Sequence, residues 1–255
     1  MKNLKMICLA LAVVMMAALL GACAGGADEA VLTMATNANF PPYEFKEGDK
    51  IVGIDAEIAE KIVEKLDMTL EIEDIEFGSI VSGVQTGKFD IGMAGMTVTE
   101  ERLQNVNFSE TYATGVQVVI VKEDSDIKTL DDIAAEGVLI GVQQDTTGDI
   151  YASDTPENGG YGEDKVVRYK NGADAVLALT TDKVNCVIID NEPAKSFVAA
   201  NEGLKILDTE YVKENYAIAI AKENTELLDK VNTALKELQE DGTIATIIAK
   251  YIPAE

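Results

Sequence analysis

Arg102 stands three residues after Thr99 in Thr97-Val98-Thr99-Glu100-Glu101-Arg102. If Thr99 caps a helix, Arg102 falls in the first turn, beside the free backbone amides of the helix start. Its planar guanidinium offers two parallel donors, the geometry a carboxylate accepts; the competing use is a surface ion pair with Glu100 or Glu101. Thr146 and Thr147 follow a strand-like run, 138–142, and open the next helix, so their amides and hydroxyls can close on the same carboxylate or simply cap. Asp190 ends the apolar run 184–189, where an open α/β sheet places its binding groups. There it serves either as counter-ion to an ammonium or as the cap of the helix that follows. One fixed cation and one fixed anion are what a zwitterion needs.

The sequence carries no histidine, which removes the commonest general base, the commonest metal ligand and every nucleophile that depends on an imidazole. Chemistry would have to use carboxylates, Lys, Tyr or Arg, and no catalytic residue, metal or cofactor is expected. Asp and Glu number 45 against 21 Lys and Arg, a net charge of −24. Such a surface repels nucleic acid and anionic lipid and keeps an exported protein in solution.

Export is written in the N-terminus. Met1-Lys2-Asn3-Leu4-Lys5, the apolar stretch 6–20 and Gly21-Ala22-Cys23 form a charged start, an apolar core and a small-residue cleavage site. About 15 apolar residues fall short of the roughly 20 a bilayer crossing needs, so residues 1–22 read as a signal peptide. Leu20-Gly21-Ala22-Cys23 resembles the bacterial lipobox. Diacylation of Cys23 would anchor the chain to the outer face of the cytoplasmic membrane through more than one acyl chain, with 23–29 as linker. Cys8 leaves with the leader, so Cys186 is alone in the folded part and reads as a small buried hydrophobe.

The elements that must position these residues alternate between strand and amphipathic helix, which argues for α/β layers. Residues 31–35 read as a strand. Ile58, Ala59, Ile62, Val63 and Leu66 mark one helical face after Gly53-Ile54-Asp55, with Asp55 as N-cap. A strand at 70–75 precedes a short helix carrying Ile80, Val81 and Val84, which stops at Gly87 before a strand at 90–94. In the second half, Thr129-Leu130-Asp131-Asp132 is a capping box, 138–142 a strand, 173–180 a helix after Asn171-Gly172, and 184–189 a buried strand. Residues 216–221 read as one strand, and Leu227, Val231, Ala234, Leu235 and Leu238 as an amphipathic helix closed by Asp241-Gly242. The segment 153–164, rich in Gly and acids, is a surface loop.

Taken in order, Ala35-Thr36-Asn37-Ala38-Asn39-Phe40-Pro41-Pro42-Tyr43-Glu44-Phe45, Val52-Gly53-Ile54-Asp55 and Ala94-Gly95-Met96-Thr97-Val98-Thr99-Glu100-Glu101-Arg102 resemble the polar amino-acid family of periplasmic solute-binding proteins. The likeness continues through Phe108-Ser109-Glu110-Thr111-Tyr112, Val142-Gln143-Gln144-Asp145-Thr146-Thr147-Gly148, Asp190 and Leu238-Gln239-Glu240-Asp241-Gly242-Thr243. It implies a two-lobed α/β fold of the type II periplasmic-binding-protein kind, the lobes joined by two crossover strands. Residues 30–113 and 214–255 would form lobe 1 and 114–213 lobe 2, with hinges near 112–116 and 212–216. A free L-amino acid would be held between the lobes and delivered to the permease of an ABC importer, by a receptor working as a monomer.

The resemblance supports Arg102, Thr146 and Thr147 as the carboxylate site. It assigns the ammonium to Asp190, the Gly95 carbonyl and the Thr97 hydroxyl, with Met96 between the last two in the same motif. Phe40 and Phe77 match an aromatic pair that sandwiches the ligand side chain, although core packing is the ordinary fate of a phenylalanine. Asn37 and Gln143 match positions facing the ligand's far end. Relatives holding basic or amide ligands often have an acid in place of Asn37, so the neutral pair favours a neutral polar or moderately apolar amino acid over Lys, Arg or His. Glu44 is the nearby acid that would reverse this. Asp145 departs from the pattern, which often has glycine before the paired threonines; its carboxylate must point to solvent or meet a lysine.

Two rival readings share the fold: a dehydratase-like enzyme using Glu44 and Asp190 as acid and base, and a ligand-sensing module. The first is narrowed by the missing histidine and by a lipid tether that suits delivery. The second is normally fused to a transmembrane or signalling segment.

Overall fold

Two sheets organise residues 30–253, the part described by the computed structural model; the leader, Cys23 and the linker lie outside the described residues. The first sheet runs, in spatial order, Met68–Asp74, Ala30–Thr36, Ile91–Gly92, Ala219–Ala221 and Val106–Phe108. Met34 and Ala35 align in parallel with Ile91 and Gly92, and Ala219 returns antiparallel to Gly92. The second sheet runs Val166–Tyr169, Ile140–Gln143, Cys186–Asp190, Ala113–Lys122 and Leu204–Ile206. A short sheet of Asn39–Phe40, Glu44–Glu47 and Lys50–Val52 sits beside the first.

The chain leaves the first sheet into the ten-residue strand Ala113–Lys122 and comes back through Val212–Tyr216, which pairs antiparallel with it from Val212 opposite Gln117 to Tyr216 opposite Ala113. Two paired strands therefore tie two sheets together, the two-lobed arrangement that the sequence motifs imply.

Helices cover the sheets because their apolar faces match. Ile58 and Ile62 of Ile54–Lys65 are fully buried and belong to one core with Met34, Ile91 and, from Thr225–Glu240, Val231 and Leu235. Cys186–Asp190 is buried at every position, as expected of a strand with helices on both faces. Burial pushes the Cys186 thiol up to about 12, which leaves it unreactive at neutral pH. No helix among the described residues is long and apolar enough to cross a membrane.

The sequence reading needs correction at several places. Asp55 is not the N-cap: Gly53 takes that position, and Asp55 lies in the first turn, fully buried. Its side chain points inward to accept from the Gly95 amide at 2.8 Å and the Tyr112 hydroxyl at 2.9 Å. The expected strand 216–221 is two strands, because Tyr216 ends the crossover and Ala219–Ala221 belongs to the first sheet. The strand Ala113–Lys122 and the C-terminal helix Thr243–Tyr251 are additions. The loop 153–164 holds two short 3-10 turns, Pro156–Asn158 and Glu163–Lys165.

Candidate functional site

In both sheets the polar residues of interest follow the carboxyl ends of parallel strands, where side chains and loop amides face the crevice between layers. Asn37 follows Ala30–Thr36, Gln143 ends Ile140–Gln143 and Asp190 ends Cys186–Asp190. Together with Phe40, Phe77, Gly95, Thr97, Arg102, Thr146 and Thr147 they line one cleft. Met96 is the exception. Its side chain is fully buried in the core with Ile80 and Val106, while the bend at Gly95, φ 50°, and Thr97 face the cleft.

Arg102 is held as its spacing predicts. Thr99 caps Glu100–Leu103 by accepting from the Arg102 amide at 3.2 Å. The guanidinium is 7% exposed, lies 5.2 Å from the Phe77 ring centroid, and donates to the Thr97 carbonyl at 2.8 Å and the Asp145 carbonyl at 3.1 Å. Among the described residues its hydrogen bonds go to these carbonyls, and neither Glu100 nor Glu101 pairs with it. Burial pulls its pKa down, partly offset by the Glu214 carboxyl. A buried guanidinium with carbonyl partners alone retains its attraction for an anion.

Asp145 adopts φ 64°, the left-handed region where glycine is easiest and where aspartate is among the tolerated residues. Its exposed carboxylate lies against Gly78 on the outer side of the cleft. The departure from glycine is therefore absorbed without aiming an acid at the anion site. Thr146 caps Thr147–Ser153, accepting from the Asp149 amide at 3.4 Å and donating to the Gln143 carbonyl at 2.8 Å.

Asp190 occupies the N-cap position of Asn191–Ala200 but does not cap it. Its carboxyl instead accepts from Gln117 Nε2 at 2.7 Å and from the Tyr216 hydroxyl. Burial, and then the neighbouring Glu214, push it up to about 8. Gly95 has φ 50° and lies so close to the Phe40 ring that a Cβ there would meet it at 2.9 Å, so only glycine brings that carbonyl to the cleft.

At the far end Asn37 donates to the Ile75 carbonyl at 2.7 Å and accepts from Gln143 Nε2 at 3.0 Å. That bond, Arg102 to the Asp145 carbonyl, and an exposed Lys170–Glu76 pair at 3.2 Å bring the two walls together. Glu44 also lines the cleft, beside Asp55, 1% exposed, with Oε2 unpartnered among the described residues. Desolvation raises its pKa well above the carboxylate range, with Asp55 adding to the rise, and burial lifts Asp55 to about 7. The sequence reading had placed neither Gln117, Glu214 nor Tyr216 at this site. All three lie on the crossover strands, and they meet Asp190 through pairings between segments distant in the chain.

The raised carboxyls predict a pH effect on stability. Asp55 and Asp190 hold protons in the folded state that an unfolded chain, with carboxyl pKa values near about 4, gives up. The stabilisation is thus complete below that value and is lost as pH rises through about 7 for Asp55 and about 8 for Asp190. The ligand-free protein should melt at a lower temperature at pH 8.5 than at pH 5, followed by circular dichroism. A melting temperature that climbs across this range contradicts the buried-acid assignment.

No group of three or more His, Cys, Asp or Glu among the described residues is arranged to hold a metal ion. The arrangement is one for binding a small molecule with an anionic and a cationic end.

Comparison with known proteins agrees. Residues 32–254 match the model of the bacterial extracellular solute-binding proteins, family 3. The arginine-binding extracellular protein ArtP of Bacillus subtilis is 33% identical over 229 residues, 88% of this chain and 87% of that protein. The structure of an ancestral arginine-binding protein bound to glutamine matches with a TM-score of 0.80 and 36% identity, covering 88% of this chain and 98% of the other. The ancestral amino acid-binding protein AncCDT-1, a precursor of cyclohexadienyl dehydratase, matches with a TM-score of 0.78 and 30% identity, covering 87% and 95%.

Proposed function

The chain belongs to the bacterial extracellular solute-binding proteins, family 3, and from that premise we propose that it is the extracytoplasmic receptor of an ABC importer, capturing one free amino acid in the cleft and handing it to the membrane permease. The observation that carries this reading is the buried Arg102, which among the described residues has carbonyl partners but no carboxylate. The ligand carboxylate takes that guanidinium together with the amides at Thr146 and Thr147. The ammonium takes Asp190, the Gly95 carbonyl and the Thr97 hydroxyl. Phe40 and Phe77 flank the side chain, and Asn37 and Gln143 meet its end.

Two carboxamides at that end suit a neutral polar side chain, and glutamine, the ligand bound in the similar ancestral structure, is our first choice although Asn37 stands where relatives with amide ligands often have an acid. Arginine is the second reading, favoured by the unpartnered Glu44 oxygen and by relatives named for binding arginine; its guanidinium would have to ionise Glu44. We place the lobes at 30–113 with 214–255 and at 114–213, closing about the crossover strands in the hinge manner. Ligand shifts that equilibrium only through its higher affinity for the closed form. The reading is of binding without chemistry, by a monomer exported by residues 1–22 and anchored through lipid on Cys23.

The test is a thermal-shift screen of protein lacking residues 1–23, refolded to strip carried-over ligand, against the twenty amino acids and small carboxylates. An amino acid that binds stabilises by about 2.7 kcal/mol at a hundredfold excess over Kd. Shifts from one or a few amino acids are expected, glutamine or arginine among them. A shift only with carboxylates lacking an ammonium overturns the Asp190 role and favours the dehydratase-like alternative.

A further inference from the structure

Behind Asp190 lies a cluster of groups that the binding scheme above does not use. Gln117 Nε2 stands 2.7 Å from Asp190 Oδ2 and 3.0 Å from Glu214 Oε2, with Thr147 Oγ1 at 3.4 Å. One amide nitrogen thus bridges two buried carboxyl groups, 8% and 5% exposed. Glu214 Oε1 and Gln117 Oε1 have no hydrogen-bond partner among the described residues. The backbone builds this pairing: Asp190 and Val212 both lie opposite Gln117, and Glu214 lies opposite Gly115. A side chain at Gly115 would collide with the Tyr216 hydroxyl and stand 2.8 Å from Asp190 Oδ1, so the bare glycine lets Tyr216 reach Asp190.

Other titratable groups face the cluster. Arg102 and Tyr151 feel both Glu214 and Asp190, and Tyr43 feels Asp190 along with Asp55, Glu192 and Glu44. Arg102 is the cation among them, and the ligand carboxylate is what neutralises it. Two like charges this close in a desolvated site do not both ionise, so a proton stays with the pair.

We infer that Glu214 is a positioning residue for the ligand ammonium: set beside Asp190 by the bridging Gln117 amide, with Tyr216 on the other Asp190 oxygen, it keeps a proton on Asp190 in the empty cleft, and the incoming ammonium displaces that proton. The step balances as protonated Asp190 plus ammonium giving an Asp190–ammonium pair and a proton passed to solvent. Capture of an amino acid is therefore coupled to proton release, and it weakens as pH falls. Asp190 is held up to about 8 by burial and by Glu214, and drawn down by the hydrogen bonds from Tyr216 and Gln117, which fixes the direction in which each partner's loss acts. The inference rests on the amino-acid-binding reading.

Isothermal titration calorimetry of the stripped protein, with glutamine and with arginine as probes, tests it. In two pH 7 buffers of different ionisation heat, the apparent binding heats should differ in the sense of proton release, and Kd should tighten up to tenfold per pH unit between about 5.5 and 8. Glu214→Gln should lower the midpoint of that pH dependence by about a unit, whereas Tyr216→Phe should raise it. A merely structural role would not move the midpoint in opposite directions, and glutamine, which has no cationic side chain, reports that midpoint without the Glu44 ionisation that arginine adds. Binding with equal heats in both buffers, or an unchanged midpoint in both variants, overturns the inference alone. Absence of heat with every amino acid overturns the receptor reading and this inference with it.

Discussion

Arg102→Ala should abolish measurable amino-acid binding while leaving the protein folded. The guanidinium's two hydrogen bonds go to the Thr97 and Asp145 carbonyls, and the residue also borders a second, water-open hollow outside the cleft with Glu101, Asp145 and Arg168. Once the side chain is gone, water can reach those carbonyls from that side, so no orphaned polar group is sealed in. The desolvation that lowers the Arg102 pKa disappears too, and the ligand-free melting temperature should hold or rise slightly. The ligand carboxylate, by contrast, loses a two-pronged charge-assisted contact. At about 1.5–3 kcal/mol per charged hydrogen bond, the loss is roughly 3–6 kcal/mol, or about a hundredfold to ten-thousandfold in Kd. Arg102→Lys keeps the charge and loses the fork, and should fall between the two. Calorimetry gives Kd and a melt gives the fold. Binding within tenfold of wild type in Arg102→Ala would mean that the carboxylate is held elsewhere.

What the sequence makes legible here is local. Thr99 three residues before Arg102, the Thr129–Asp132 box and Asn171 before Asp174 are each short-range hydrogen bonds between residues adjacent in the chain, and each forms as its spacing indicates. The cleft residues were legible as ordered motifs, because a binding loop after a strand keeps its composition whatever the rest of the fold does. Contacts that join distant segments were not legible. Asp55 looked like a cap because aspartate at a helix start usually is one; its true partners, Gly95 and Tyr112, lie 40 and 57 residues away. Glu214 and Gln117 are 97 residues apart and meet only because two crossover strands pair. Met96 sits in a motif of cleft residues, and its burial against Ile80 and Val106, which come from other segments, turns it inward.

The chain's acidity gains a second meaning beside solubility. Glu44, Asp55, Asp190 and Glu214 are all buried around the cleft, yet the ligand's anionic end must enter the same space. Arg102, with its pKa lowered by burial and sustained by Glu214, is the compensating charge, and the raised carboxyls of Glu44, Asp55 and Asp190 limit the negative field it must overcome. The site is thus balanced with its acids partly protonated. That balance explains why the ammonium, rather than the carboxylate, is the end whose capture should register in the pH dependence.

Gly53→Ala should give the largest loss of stability among conservative single changes near the cleft. Gly53 has φ 124° and ψ −178°, a region essentially closed to residues with a side chain. An added Cβ would clash with the Tyr43 carbonyl oxygen and stand 2.7 Å from its carbon and 2.8 Å from the Pro42 oxygen. That close approach has a purpose. The helix Ile54–Lys65 has no side-chain cap; its first amides are capped by backbone instead, Ile54 donating to the Pro42 carbonyl at 3.1 Å and Asp55 to the Tyr43 carbonyl at 2.9 Å. Pushing the two strands of chain apart strains Gly53 by about 1–3 kcal/mol and loosens two buried hydrogen bonds worth about 1 kcal/mol each in place and more if left unmade. The sum, roughly 3–5 kcal/mol, corresponds to a fall of about 10 °C in Tm for a protein of this size. Because Phe40, Tyr43 and Glu44 ride on the displaced segment, Kd should also rise, whereas Arg102→Ala raises Kd without lowering Tm. A Gly53→Ala protein that melts within about 2 °C of wild type would show that the segment relaxes freely and that the carbonyl caps do not hold this helix start in place.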